Sequence, residues 1–178
     1  SFEVSTAQKF LPEVKLKEDK AAKTNDPYTS DGILMRAAQA RSGDRLWSNM
    51  TKAEKNNNGY GQYACADSVS VVTREAGEGK IKGHTVGDLV KSAERQGYTM
   101  HPLSEMKGGD LVVGYDPSNK NWKNGGGHAH VGIADKDGGV WNNSKRADVK
   151  YSWVKEPIDE AFADYSSRYV LRKPDKSK

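Results

Sequence analysis

At 178 residues, with 35% hydrophobic and 29% charged side chains, the chain has room for one domain with a real core and a profile on the polar side. No apolar run approaches the length of about eighteen residues that a membrane span needs, and one cysteine excludes both an internal disulfide framework and a cysteine-rich zinc site. A net charge of +4 favours anionic partners only weakly; the basic residues are interleaved with acids, and no zinc-finger spacing, ribonucleoprotein motif or basic helix is present, so nucleic acid is not expected as a partner.

The sequence begins at Ser1 without a methionine, as a processed or trimmed chain would. Residues 1–29 are lysine-rich, carry Pro12 and Pro27, and read as a basic arm ahead of a domain over residues 30–178. A helix is expected from Ser30, with Ser30 or Asp31 as its cap and Ile33, Leu34, Ala37, Ala38 and Arg41 on one face. Another turn or two is expected over Asp44–Lys55, with Leu46, Trp47 and Met50 inward, before the loop "NNNGYGQ". Cys65–Ala76 reads as a helix closed by Gly77, with Cys65, Val69, Val72 and Ala76 on one stripe. Residues 85–97 form a third long helix, capped by Thr85, that buries Val86, Leu89, Val90 and Ala93.

Beyond residue 100 the pattern changes to strands. "GDLVVGY" (109–115) is a short apolar run, "HAHVGIAD" (128–135) alternates, and "DKDGG" is a hairpin signal before "VWNNS". "VKYSWV" (149–154) and "SRYVLRK" (167–173) are two more candidate strands. Helices first and antiparallel strands afterwards give an α+β class, with helices packed on one sheet.

The lone thiol stands where a Gly-containing loop turns into a helix. Unpaired N–H groups and the positive dipole end of a helix stabilise a thiolate, so Cys65 is a candidate nucleophile as well as a core residue on an apolar stripe. On the "HVGIA" strand His130, Gly132 and Ala134 share a face opposite Val131 and Ile133. A histidine flanked on its face by Gly and Ala leaves room for the thiol-bearing helix to pack above it, and an imidazole in reach is the base a cysteine nucleophile requires. A third group should orient that imidazole. A two-residue hairpin turn puts Asn143 on the His130 face, and a loop with an odd number of residues puts Asn142 there.

The series "CADSVSVV", "GGDLVV", "GHAHVGI" and "VWNNS", over about residues 59–145, resembles the NlpC-like and CHAP-like cysteine hydrolases, papain-like enzymes that cut the peptide part of bacterial peptidoglycan. The resemblance implies a papain-like fold, an exported or phage-borne protein, and cleavage of an amide bond without metal or organic cofactor. It makes Cys65 the nucleophile, His130 the base and Asn142 the third residue, and so favours the odd loop. Tyr60 and Gln62 resemble the family's polar and aromatic residues just upstream of the cysteine, without a residue-exact match, and are candidates to form an oxyanion site with the Cys65 backbone N–H. Peptidoglycan peptide is the implied partner, with an inhibitor or immunity protein as a further one. Ala64 and Ala66 depart from the Asp-Cys-Ser signature common in the NlpC-like branch. Two alternatives stand beside this: a module of the same fold that binds wall fragments or a partner without chemistry, and a deamidase or toxin acting on a non-wall amide.

His128 and His130, two apart, allow a metal pair if Asp110 or Asp135 approaches, but no third ligand stands at a characteristic spacing. His84 and His101 read as surface histidines, and Asp67 as a carboxylate that favours the helix dipole while slightly opposing thiolate formation. The loop over residues 115–127, with Trp122, reads either as a substrate-binding flap or as a solvent loop whose tryptophan tucks onto the sheet. Trp141 reads as core.

Overall fold

The computed structural model describes residues 29–174. The basic arm read over residues 1–29 lies, but for Thr29, outside them. The described chain is α+β: five helices and one six-stranded antiparallel sheet. The helices are α1 (Thr29–Ala40), α2 (Lys52–Asn57), α3 (Cys65–Glu75), α4 (Val86–Arg95) and α5 (Ile158–Ala161). The strands are β1 (Thr99–Pro102), β2 (Leu111–Tyr115), β3 (Ala129–Ala134), β4 (Gly139–Asn143), β5 (Trp153–Pro157) and β6 (Ser167–Arg172), in the order β1-β6-β2-β3-β4-β5. None of the described helices is long and apolar enough to cross a membrane.

Local chemistry explains where the helices begin. Thr51 accepts from the Glu54 N–H while the Glu54 carboxylate accepts from the Thr51 N–H, a capping box that sets the start of the short helix α2. Thr85 caps α4 by accepting from the Asp88 N–H, and the helix's Val86, Leu89, Val90 and Ala93 are buried as their spacing requires. Helix α3 opens differently, because its N-cap is Ala64, which has no side chain to offer. Gly77 at φ 80° follows its end, the left-handed position that favours glycine.

Alternation along the strands sorts the core into two layers. Leu111, Val113, Val131, Ile133, Trp141, Trp153, Tyr169 and Leu171 meet α1, α3 and α4 on one face. Val112, Ala134, Val140 and Val170 meet Phe162, Leu103 and Ile158 on the other. Trp141 is core, and its indole N–H donates to Asp135 at 2.8 Å. The fifth strand begins later than the run "VKYSWV" suggests. A 3-10 turn occupies Ala147–Val149 and Tyr151 takes φ 61°, so the chain turns there and extends only from Trp153.

A buried ion pair ties the sheet's middle to its far side. Asp110, just before β2, accepts from Arg172 of β6 at 2.9 and 2.8 Å, and also caps the Lys107 N–H at 2.8 Å. Removing one partner leaves an uncompensated buried charge, so Arg172→Met is expected to destabilise the fold by about 3–5 kcal/mol. Urea denaturation of wild type and variant checks this; a loss under about 1 kcal/mol would mean that the pair is dispensable.

Candidate functional site

The hairpin between β3 and β4 sets the site. Asp135 and Gly139 close it, the Asp135 N–H donating to the Gly139 carbonyl at 2.8 Å, which leaves Lys136, Asp137 and Gly138 as the loop. Gly138 takes φ 91° there, a conformation that side-chain-bearing residues adopt only under strain. With this odd loop, Ile133 pairs with Trp141 and Ala134 with Val140, so Asn142 falls on the His130 face and Asn143 on the helix face. His130 Nε2 and Asn142 Oδ1 are 2.9 Å apart, both side chains buried. Asn143 instead donates to the Gly61 carbonyl at 2.8 Å and accepts from the Ser68 hydroxyl at 3.2 Å, tying the loop before α3, and α3 itself, to the sheet.

Helix α3 does not pack above Gly132 and Ala134, as the small residues beside His130 suggest. It packs on the opposite face, against Val131 and Ile133. A Cβ at Gly132 would meet β4 itself, 2.6 Å from the Trp141 carbonyl and from a Val140 methyl. The cysteine reaches the site another way. The β3–β4 ladder is only two pairs long, and toward His130 and Asn143 the strands are no longer paired. There the Val131 N–H and the Ala66 N–H, the latter at the uncapped start of α3, each act to lower the Cys65 thiol. Cys65 and His130 line one cleft of about 570 Å³.

Burial governs the charge state of both groups. It pushes the Cys65 thiol up, against the two backbone N–H groups and the charge of Lys145, while Asp67 adds to the upward shift. Cys65 keeps partial exposure to the cleft, yet protein surrounds it closely enough for desolvation to dominate. Burial also lowers His130 to about 4, against the hydrogen bond to Asn142; Lys145 adds to the lowering, while Glu156 and Asp164 oppose it. Burial thus favours the neutral form of both groups, the thiol and the imidazole. The far side of that imidazole is packed against Phe162, with ring centroids 4.9 Å apart.

Asn142 is itself held. Its Nδ2 donates to Glu156 Oε1 at 2.8 Å and to the Val154 carbonyl at 3.3 Å, so its oxygen is the end left for His130 Nε2. That nitrogen then carries the proton, and Nδ1 has the free lone pair.

The cleft gathers further residues. Gln62 and Trp122 line it, but Tyr60 does not; Tyr60 sits at φ 52°, exposed, and the tyrosine of that loop at the cleft is Tyr63. Trp122 is half-buried and stacks on Tyr115 of β2 at 5.0 Å, so it tucks onto the sheet and is no exposed flap. Its loop lies so close to α4 that a Cβ at Gly87 would stand 2.3 Å from the Lys123 carbonyl. His84 is not an ordinary surface histidine: its Nδ1 is 2.6 Å from the buried Asp67, which also accepts from Asn58 at 2.9 Å, and the ring lines the cleft. Lys145 and Tyr165 complete the wall nearest His130. Burial raises the Tyr165 hydroxyl, with Asp164 and Cys65 adding to it.

No metal pair forms at His128 and His130. His128 precedes β3 at φ 58°, Asp110 is committed to Arg172, and Asp135 accepts from Gln39 and Trp141. Among the described residues no group of three His, Cys, Asp or Glu is placed to hold a metal ion. No protein-family model matches the chain, and no curated protein matches it.

The lowered His130 value carries a stability consequence. Between pH 6.5 and about 4 the unfolded chain binds a proton on this residue that the folded chain does not, so stability falls as pH falls through that window. The loss is at most about 3 kcal/mol. His130→Gln should flatten this part of the stability profile and leave the carboxylate-dependent part, at lower pH, in place. Urea denaturation of both proteins across the window checks it; an unchanged slope in the variant would refute it.

Proposed function

We propose that this protein is a papain-like cysteine hydrolase that cleaves an amide bond in the peptide part of bacterial peptidoglycan, with Cys65 as nucleophile, His130 as base and Asn142 as the residue that orients it. The observation that carries the reading is the 2.9 Å bond from His130 to Asn142, whose polarity leaves the other imidazole nitrogen free as a base in a cleft that Cys65 shares. A helix-borne thiol against an antiparallel sheet, with histidine and asparagine on neighbouring strands, also agrees with the sequence resemblance to NlpC-like and CHAP-like enzymes.

The chemistry follows from the resting protonation. His130 Nδ1 takes the Sγ proton as the sulfur forms its bond to the amide carbon, and the carbonyl electrons move onto oxygen. That oxyanion forms beside the opening turn of α3, near Gln62 and within the field of Lys145. The imidazolium then gives its proton to the leaving nitrogen as the C–N bond breaks, leaving a thioester. Water attacks this thioester, His130 takes the water proton, and the returning sulfur recovers it as the carboxylic acid departs. Because both groups rest neutral, His130 acts as a general base and not as half of a standing ion pair.

The cleft suits a short polar peptide. Trp122 and Tyr63 offer flat apolar surface, while Asn57, Gln62 and His84 offer hydrogen bonds to amides and carboxylates. A module that binds wall fragments without chemistry is the second reading; what favours it is Ala64 and Ala66 flanking the thiol in place of the Asp-Cys-Ser signature, in a site that buries the cysteine.

Purified peptidoglycan digested with wild type should release fragments whose masses identify the cut bond. Cys65→Ala, still folded, should release none, and His130→Ala should be slower by about 10²–10⁴-fold. If folded wild type releases nothing, the hydrolase reading fails and binding of the same fragments becomes the question.

A further inference from the structure

We propose that Glu156 is a positioning residue of the site: by accepting from Asn142 it fixes which end of that amide faces His130, and so which imidazole nitrogen carries the proton. This deepens the hydrolase reading and rests on it.

An asparagine amide has two ends of similar shape and opposite hydrogen-bonding character, so its orientation must come from its neighbours. The Asn142 nitrogen has two hydrogens and two acceptors, Glu156 Oε1 at 2.8 Å and the Val154 carbonyl at 3.3 Å. Neither acceptor can donate. Turning the amide over would set its oxygen against both of them in a buried place and lose two hydrogen bonds. The shorter of the two bonds, and the one with charge behind it, is the bond to Glu156.

Glu156 is held for this task. The strand pairing sets Asn142 opposite Val154 and Val140 opposite Glu156, so Asn142 and Glu156 lie on the same face, diagonal to one another. The Ser144 hydroxyl donates to Oε2 at 3.0 Å, and the Arg146 guanidinium stands 3.8 Å away. Glu156 is 4% exposed on the sheet face that Val112, Ala134, Val140 and Val170 share with His130 and Asn142. A carboxylate buried there is costly unless its hydrogen bonds to Asn142 and Ser144 hold it. Ser144, Glu156, Asn142 and His130 thus form one chain of hydrogen bonds, each member fixing the next. The negative charge at its end also favours the imidazolium that forms during turnover.

The test uses a polarity swap. Glu156→Gln keeps the shape but presents a donor as readily as an acceptor, so the amide of Asn142 loses its fixed orientation. The expected result is a fall of about 10- to 100-fold in kcat for release of peptidoglycan fragments, with KM within about twofold. Asn142→Asp alone sets two carboxylates face to face and should also be slow. The double variant Asn142→Asp with Glu156→Gln places acceptor and donor the other way round and should recover to within about tenfold of wild type, a rescue that a merely structural glutamate does not predict.

The rate of Cys65 alkylation by iodoacetamide against pH supplies a readout without substrate. A component present in wild type, absent in His130→Ala, diminished in Glu156→Gln and restored in the double variant supports the proposal. Wild-type behaviour in Glu156→Gln, with His130→Ala still distinct, overturns it and leaves the triad standing. A wild-type profile identical to that of His130→Ala removes the Cys–His pair and the proposal together. Should Glu156→Gln not fold, the double variant decides: folded and as slow as His130→Ala, it overturns the proposal.

Discussion

A strand sends consecutive side chains to opposite faces, so Asn142 and Asn143 cannot do the same work, and the loop of the β3–β4 hairpin decides which does which. With Lys136–Gly138 as the loop, Asn142 holds the imidazole on one face and Asn143 holds Gly61 and Ser68 on the other. One strand thereby anchors both halves of the site, the histidine directly and the cysteine through the loop and helix that carry it. Gly61 shows how tight that second anchorage is. Its backbone takes φ 98° and lies against the Trp47 indole, where a Cβ would come within 2.5 Å of the ring. A slip of one residue would exchange the two asparagines and undo both attachments at once.

The short β3–β4 ladder is the second half of this arrangement. Had the strands stayed paired to their ends, the backbone of β4 would take up the Val131 N–H. Because pairing stops at Ile133 and Trp141, that N–H is left to lower the Cys65 thiol against the effect of burial. Cys65, packed on the helix side, and His130, whose side chain belongs to the opposite layer, line one cleft. Sequence periodicity pointed the other way, to the thiol-bearing helix lying over the His130 face, because it cannot show which layer a helix joins.

Much of the frame was legible because it rests on local signals. Thr85 with Val86, Leu89, Val90 and Ala93 carries both cap and stripe for α4, and Cys65 opening an apolar stripe after a glycine loop defines α3. The alternation of "HVGIA" gave the faces of β3 correctly. The capping box of Thr51 and Glu54 was also there to be read. What escaped depends on distant parts of the chain meeting. The Asp-Gly pair in "DKDGG" argues as well for a two-residue turn as for the longer loop observed, so Asn142 against Asn143 was undecidable without the resemblance. His84 gains its place only because the chain between α3 and α4 brings it back to Asp67. Lys145, Tyr165 and Glu156 belong to no motif, and their positions follow from the sheet's order and from the turn before β5.

In the hydrolysis proposed above, Lys145 would have opposite effects on Cys65 and His130, and the balance bears on which step it would serve. Its charge favours the Cys65 thiolate and disfavours the His130 imidazolium. Moving a proton from sulfur to imidazole creates both charges together, so the two effects offset one another and Lys145 gives the first proton transfer little net help. The offset ends once the sulfur has attacked. Negative charge then resides on the carbonyl oxygen, which a cation at the cleft wall stabilises, and the imidazolium that Lys145 disfavours must in any case surrender its proton to the leaving nitrogen. On the proposed reading a lysine in this position would act on the tetrahedral intermediate and its collapse, while proton abstraction would depend on the chain of hydrogen bonds behind His130. Asn142 and Glu156 would then fix where the proton rests, and Lys145 at the cleft would favour its departure.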